Sequence, residues 1–211
     1  MLREHLTFFR EFRQRFDTTG AIAPSSRFLA RAITHYLRQR SADQPVRVLE
    51  IGPGTGALTN AIVRHLREGD RFDLVELNES FASHLRQRFE TDPAWNRVAA
   101  FSEVHVQPLQ EFQSEAPYDF VISGLPLNNF PVDLVGDIFE HYFRHLAPDG
   151  VLSYFEYQFV RTLRTRIGAR SERARMQAIE DIMSAHCRAH RIRRDWVFAN
   201  LPPAWAQHLQ K

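Results

Sequence analysis

Val46-Arg-Val-Leu-Glu-Ile-Gly-Pro-Gly-Thr-Gly-Ala-Leu-Thr59 is an apolar run that passes directly into a turn with three glycines and then into a helical pattern. The run up to Ile51 reads as a buried strand. Gly52, Gly54 and Gly56 give a backbone that takes positive φ and that a ligand can approach where a Cβ would clash. A helix expected over residues 56–67 would add unpaired N–H groups at its start. About 20 residues on, Phe72-Asp-Leu-Val-Glu-Leu77 reads as a second buried strand, with Glu76 near the end where a carboxylate can accept both hydroxyls of a ribose.

The glycine spacing narrows the ligand. Dinucleotide fingerprints have G-x-G-x-x-G, whereas this turn is G-x-G-x-G with an acid, Glu50, just before it. In that respect Glu50-Ile-Gly-Pro-Gly-Thr-Gly56 resembles motif I of the class I S-adenosylmethionine-dependent methyltransferases. The resemblance implies S-adenosylmethionine as cofactor and S-adenosylhomocysteine as product. A purely structural turn is disfavoured, since each glycine costs about 0.5–1 kcal/mol where regular structure would serve.

A chain of 211 residues suits one α/β domain with short additions and leaves no room for a separate RNA-binding domain. The single Cys187 excludes an internal disulfide framework and points to a reducing compartment. No apolar run is long enough to span a bilayer, and no signal peptide is visible, so a cytoplasmic enzyme with at most peripheral membrane contact is expected. Net charge is only +2, but residues 1–40 carry +5, residues 41–160 carry −10 and residues 161–211 carry +7. Basic flanks on an acidic centre suit an anionic surface of phospholipid or nucleic acid, or are simply solvated helix faces.

Along the chain, Leu2, Leu6, Phe8, Phe9, Phe12 and Phe16 share one arc of a helical wheel. Such a helix lies in a membrane interface or closes over the cofactor pocket as part of the core. A second helix is expected over 27–40, capped by Ser25 or Ser26. Strands are then expected at 46–51, 72–77, 103–107, 118–123 and 151–157, with helices at 79–90 and 132–146 between them. A helix near 172–190, a strand near 192–199 and an antiparallel edge from Ala204 to Leu209 finish the pattern. Strands alternating with helices predict a Rossmann-like α/β fold, a seven-stranded mainly parallel sheet covered on both faces.

In such a sheet the ligand lies beyond the carboxyl ends of the strands. Besides the glycine turn and Glu76, this brings in Leu77, then Gln107 and Pro108 after the third strand, and Ser123-Gly-Leu-Pro-Leu-Asn-Asn-Phe-Pro131 after the fourth. Many methyltransferases have an acid where Gln107 stands; its amide oxygen can still accept from an adenine amino group. The carbonyls of Ser123, Gly124 and Leu125 and the Asn128 or Asn129 side chain can orient an amine, with Pro126 stiffening the loop. A plain connecting turn explains the same residues.

Thr19-Gly-Ala-Ile-Ala-Pro-Ser-Ser-Arg-Phe-Leu-Ala30, the glycine turn, Ile122-Ser-Gly-Leu-Pro-Leu-Asn128 and Asn200-Leu-Pro-Pro-Ala-Trp205 together resemble the bacterial phospholipid N-methyltransferases. These small enzymes methylate phosphatidylethanolamine towards phosphatidylcholine. The resemblance implies residues 1–18 as an amphipathic membrane-docking helix and residues 19–211 as the catalytic domain. It also implies an anionic lipid surface as partner, a location on the inner face of the bacterial membrane, and neither metal nor nucleic acid. Ser26 joins the implied cofactor set, and Phe8, Phe9 and Phe12 the implied membrane set. Ornithine lipid, which also carries an amine, is an alternative acceptor. The rRNA adenine dimethyltransferases share the glycine turn, but Leu127 stands where they have a base-stacking aromatic residue.

The mechanism expected is direct displacement at the sulfonium methyl by an uncharged amine, with Glu156, Tyr157 or His35 as candidate proton acceptors. Tyr154, Phe155 and Tyr157 are candidates to surround a methylated ammonium, or simply alternate on a buried strand. Arg161, Arg164 and Arg166 are candidates to hold a lipid phosphate, or are solvated surface charges.

Overall fold

The buried run before the glycine turn forms the central strand β1, Arg47–Ile51, of a seven-stranded sheet in the order β3-β2-β1-β4-β5-β7-β6. The computed structural model describes residues 26–157, 170–200 and 202–211. The expected N-terminal amphipathic helix with Phe8, Phe9 and Phe12, and the arginines Arg161, Arg164 and Arg166, lie outside the described residues.

The described elements run α1 Arg27–Ile33, α2 His35–Gln39, β1, α3 Thr59–Ile62, β2 Arg71–Glu76, α4 Glu79–Thr91, α5 Pro93–Asn96, β3 Ser102–Val106 and β4 Tyr118–Ser123. They continue with α6 Val132–His145, β5 Leu146–Tyr157, α7 Arg170–His190, β6 Arg191–Val197 and β7 Ala204–Gln210. Strands β1 to β5 pair in parallel, while β7 is antiparallel to both β5 and β6. The expected Rossmann-like α/β fold, a seven-stranded mainly parallel sheet, is therefore present.

Four local readings need correction. The helix after the glycine turn is four residues long rather than twelve, Thr59–Ile62, because residues 54–58 form turns in which the Gly56 N–H bonds to the Pro53 carbonyl. The helix expected over 27–40 is two, broken at Thr34, whose hydroxyl bonds back to the Ala30 carbonyl at 2.8 Å. β5 starts five residues early, with a bulge in its pairing to β4 and Asp149 at φ 62. β7 is not the edge; it inserts between β5 and β6, leaving β6 outermost.

Two apolar clusters, one on each face, hold the sheet. Leu49, Val121, Phe139, Tyr142 and Tyr154 pack beneath α6 and α7; Leu29, Val48, Ile62, Phe72, Leu85 and Trp95 pack with α1, α3 and α4 on the other side. At roughly 1.5–3 kcal/mol for each large side chain buried, these faces fix the strand register, and the register fixes which residues reach the site.

Candidate active site

The three glycines of the turn all have positive φ, +67 at Gly52, +57 at Gly54 and +84 at Gly56, but they answer to different neighbours. A Cβ on Gly52 would fall inside the Leu125 side chain. A Cβ on Gly56 would come within 2.7 Å of the Trp95 ring, which is held beneath the turn by its Nε1–H donating to Asn60 Oδ1 at 3.0 Å. Only at Gly54 does nothing lie within 4 Å. Gly54 is thus the glycine whose bare backbone faces open space, while Gly52 and Gly56 let the turn seat itself on the β4 loop and on α5.

Acidic groups close the turn from two sides. Glu76, buried at the end of β2, accepts from the Gly54 N–H at 3.0 Å and from the Asn78 N–H at 2.8 Å. Glu50, 0% exposed, lies beneath the turn, where its Oε2 accepts from the Thr59 hydroxyl at 2.7 Å. Its Oε1 has no hydrogen-bond partner among the described residues. Burial pushes the Glu50 carboxyl up to about 8, against the opposing Thr59 hydrogen bonds, so it is protonated at neutral pH until a cation comes near.

Beyond the ends of β1, β2 and β3, Ile51, Gly52, Val75, Leu77, Gln107, Pro108 and Leu125 line a cavity of about 30 Å³. The predicted Leu77, Gln107 and Pro108 are therefore brought together against Gly52. The space holds about one water; a purine there must lie across its mouth or displace the Leu125 side chain.

The loop after β4 is tightly tied. Gly124 donates to the Ile51 carbonyl at 2.9 Å, and a Cβ at Gly124 would stand 2.6 Å from the Gly52 oxygen, so the two glycine segments lie against each other. The buried Ser123 hydroxyl pairs with Tyr142 Oη at 2.5 Å and accepts from the Leu125 N–H at 3.2 Å. Carbonyls of Leu125, Pro126 and Leu127 accept from Leu127, Asn129 and Phe130 N–H groups. Arg175, on α7, donates to the Phe130 carbonyl at 2.8 Å and the Asn128 carbonyl at 3.3 Å, while Glu172 holds its guanidinium in a bidentate pair. Among the loop carbonyls from 124 to 128, that of Gly124 alone takes no part in these bonds.

The family that matches residues 49–152 is described as a methyltransferase domain. An ornithine lipid N-methyltransferase from Singulisphaera acidiphila is 30% identical over 152 residues, 72% of this chain and 77% of that protein. The chain belongs to the class I S-adenosylmethionine-dependent methyltransferases. Solved structures share its fold. The O-methyltransferase TomG of Streptomyces achromogenes, in complex with S-adenosylmethionine, is 19% identical at TM-score 0.66, covering 99% of this chain and 90% of that one. The N-methyltransferase NodS of Bradyrhizobium japonicum is 15% identical at TM-score 0.59, covering 87% of this chain and 96% of that one.

The methyltransferase's own residues fit its cofactor. Open backbone at Gly54, an orphaned buried acceptor in Glu50 and a strand-end carboxylate in Glu76 suit a ligand with a cationic amino group and a ribose. Ser26 stands apart from these. It caps α1 by accepting from the Leu29 N–H at 3.2 Å, and its own N–H donates to Asn200 Oδ1 at 2.9 Å, so it ties α1 to the loop before β7.

Some expectations do not survive the geometry. Tyr154 packs in the cluster under α6 and α7, whereas Phe155 and Tyr157 pack in the opposite one; strand alternation prevents the three rings from surrounding one ammonium. Burial lifts the Tyr157 hydroxyl to about 12, which removes it as a base at neutral pH. His35 neighbours the His208 ring at 6.0 Å, and His208 pairs with Ser153 in the middle of the sheet, away from the strand ends. Of the three proposed proton acceptors, Glu156 alone keeps a suitable place, near the end of β5, accepting from Gln207 Nε2 at 3.1 Å. Trp95, Tyr142 and Arg175 were not anticipated. Nothing in a single sequence marks them, because each acts through a partner distant in the chain.

Proposed function

We propose that this methyltransferase N-methylates the amine of an aminolipid head group, with ornithine lipid as acceptor. The observation that carries the reading is the 30% identity, over 77% of its length, to a protein that bears the name ornithine lipid N-methyltransferase. Phosphatidylethanolamine, suggested by the Ala21-Ile-Ala-Pro-Ser-Ser26 and Gly124-Leu-Pro-Leu-Asn128 motifs, becomes the competing acceptor.

S-adenosylmethionine supplies an electrophilic methyl group on a sulfonium. The chain's part is to present a neutral amine in line with it. Gly124, pressed against Gly52, has a carbonyl that takes no hydrogen bond among the described residues and can accept an N–H from the amine and aim the lone pair. The Asn128 side chain, with no hydrogen bond of its own among the described residues, is the second acceptor. Glu76 and Gly54 hold the ribose end, Glu50 the amino-acid end, and Leu77, Gln107 and Pro108 the purine. Glu156 receives the proton that the ammonium must lose before attack.

The test is methyl transfer from labelled S-adenosylmethionine to ornithine lipid and, separately, to phosphatidylethanolamine, each in detergent micelles, with the products separated. Labelled ornithine lipid is expected. Label in phosphatidylethanolamine alone would reverse the order of acceptors, and label in neither would overturn the aminolipid reading.

A further inference from the structure

The outer end of the sheet carries a row of aromatic rings that the catalytic geometry does not use. In register, Glu156 on β5 stands beside Trp205 on β7, which stands beside Trp196 on β6, so the three side chains leave the same face. The Trp196 and Trp205 rings are 4.2 Å apart, centroid to centroid. Phe198 stacks on Trp196 at 4.4 Å and 14°, and the Arg194 guanidinium lies 4.2 Å over Trp205. Phe198 is 71% exposed, Trp196 44% and Ile192 41%. Single exposed apolar residues are ordinary; stacked ones, continuous with a third ring and capped by arginine, make a patch.

The charge around the patch selects its partner. Arg188 at the end of α7 and Arg191, Arg193 and Arg194 on β6 are all exposed. The one acid of β6, Asp195, is taken by Arg193 in a bidentate pair at 2.6 Å. A patch of Trp and Phe rimmed by Arg188, Arg191 and Arg194, which form no ion pair among the described residues, suits the boundary between head groups and acyl chains of an anionic bilayer, where amphipathic rings sit and basic side chains meet phosphate. It suits a second copy of the chain poorly: β6 is an edge strand, and pairing it with itself would set a strand of three arginines and one acid against the same set.

Its position gives the patch a use. Val197 pairs with Ala204, and Ala204 with Tyr157, so Trp196 and Phe198 stand level with the carboxyl end of β5, the end at which the cofactor turn opens. We infer that Trp196, Phe198 and Trp205, with Arg191 and Arg194, form a docking surface for an anionic phospholipid bilayer that turns the active end of the sheet towards the membrane. The inference rests on the aminolipid reading for its purpose, and on the patch itself for its location.

The test uses the full chain with vesicles of phosphatidylcholine, with and without phosphatidylglycerol. Tryptophan emission of the native enzyme should be quenched by lipids with brominated acyl chains in the phosphatidylglycerol vesicles, and less so in Trp196→Phe. Replacing Trp196→Ala together with Phe198→Ala should lower vesicle partition roughly tenfold, about 1.4 kcal/mol, while calorimetric binding of S-adenosylhomocysteine is unchanged. Phe198→Ala alone, at the most exposed position, carries the test should the double variant misfold. Native partition by the variants, or an absence of quenching in the bound native enzyme, overturns the inference. So does a dimer in sedimentation that the variants abolish. Docking without methylation of any aminolipid would sink the proposed function and leave the patch; methylation in micelles without docking would do the reverse.

Discussion

The residues of the glycine turn separate into those that shape it and one that faces a ligand. Gly54→Ala meets no atom within 4 Å, although φ is +57; it should cost about 1–2 kcal/mol of stability from backbone strain alone and still weaken S-adenosylmethionine markedly, by obstructing the backbone. Gly56→Ala should invert that pattern, because its methyl drives into Trp95 and unseats α5, so that thermal unfolding falls by several degrees before any binding is measured. Glu76→Gln keeps the shape but exchanges one acceptor oxygen for a donor facing either the Gly54 or the Asn78 N–H. It should weaken S-adenosylhomocysteine at least tenfold in calorimetry, and unchanged affinity would remove Glu76 from the ribose role. The motif itself was legible in the sequence, since spacing and a downstream acid carry it. Which glycine does what was not, because Trp95 and Leu125 are 39 and 73 residues away from the glycines they touch.

Among the elements, the parallel strands were readable from apolar runs that need only local agreement; β1 to β4 lie within a residue of where they were expected, and β5 starts five residues early. The order of the last two was not. Placing β7 inside β6 depends on β7 being buried on both faces, polar Gln207 and His208 included with Ala204, Ala206 and Leu209, whereas β6 reads Arg-Ile-Arg-Arg-Asp-Trp-Val and tolerates only an edge. A short apolar stretch near a chain end gives little sign of this, because burial on the second face comes from distant helices. The clasp between α7 and the β4 loop is hidden in the same way. Arg175 bonds two loop carbonyls across more than 40 residues of chain, and charge-assisted bonds of this kind contribute about 1.5–3 kcal/mol. Arg175→Ala should free the loop that presents Gly124 and Asn128 while leaving the cofactor turn intact. The expected result is a kcat lowered about tenfold or more with nearly native affinity for S-adenosylhomocysteine. An equal loss in both would show that the clasp serves the fold generally rather than the acceptor loop.

At the scale of the whole molecule, buried titrating groups set a stability optimum that composition alone would not suggest. Burial lowers His145 and His208 from 6.5 to about 4, and His35, His65, His141 and His186 move in the same direction. These rings are more readily protonated in the unfolded chain, so their contribution is complete above pH 6.5 and is lost as the pH falls through 4. Burial acts to raise Asp73, but hydrogen bonds from His105, Arg71 and Tyr118 outweigh it and hold the carboxyl at about 2, which steepens the acid limb below its ordinary 3.8. Glu50 works the other way. Its folded value of about 8 exceeds the ordinary 4.5, so the folded state binds the extra proton, and stability falls as the pH rises through that interval. Between 4.5 and 6.5 the histidines outnumber this single carboxyl; above 6.5 it acts without them. Thermal unfolding of the cofactor-free enzyme should therefore be most resistant near pH 6.5 and decline towards pH 8. Glu50→Gln should flatten that alkaline decline, recovering on the order of a few kcal/mol at pH 8 and above, while weakening S-adenosylmethionine. A decline that persists unchanged in Glu50→Gln would place its origin elsewhere and remove the argument that the orphaned Glu50 oxygen awaits a cation.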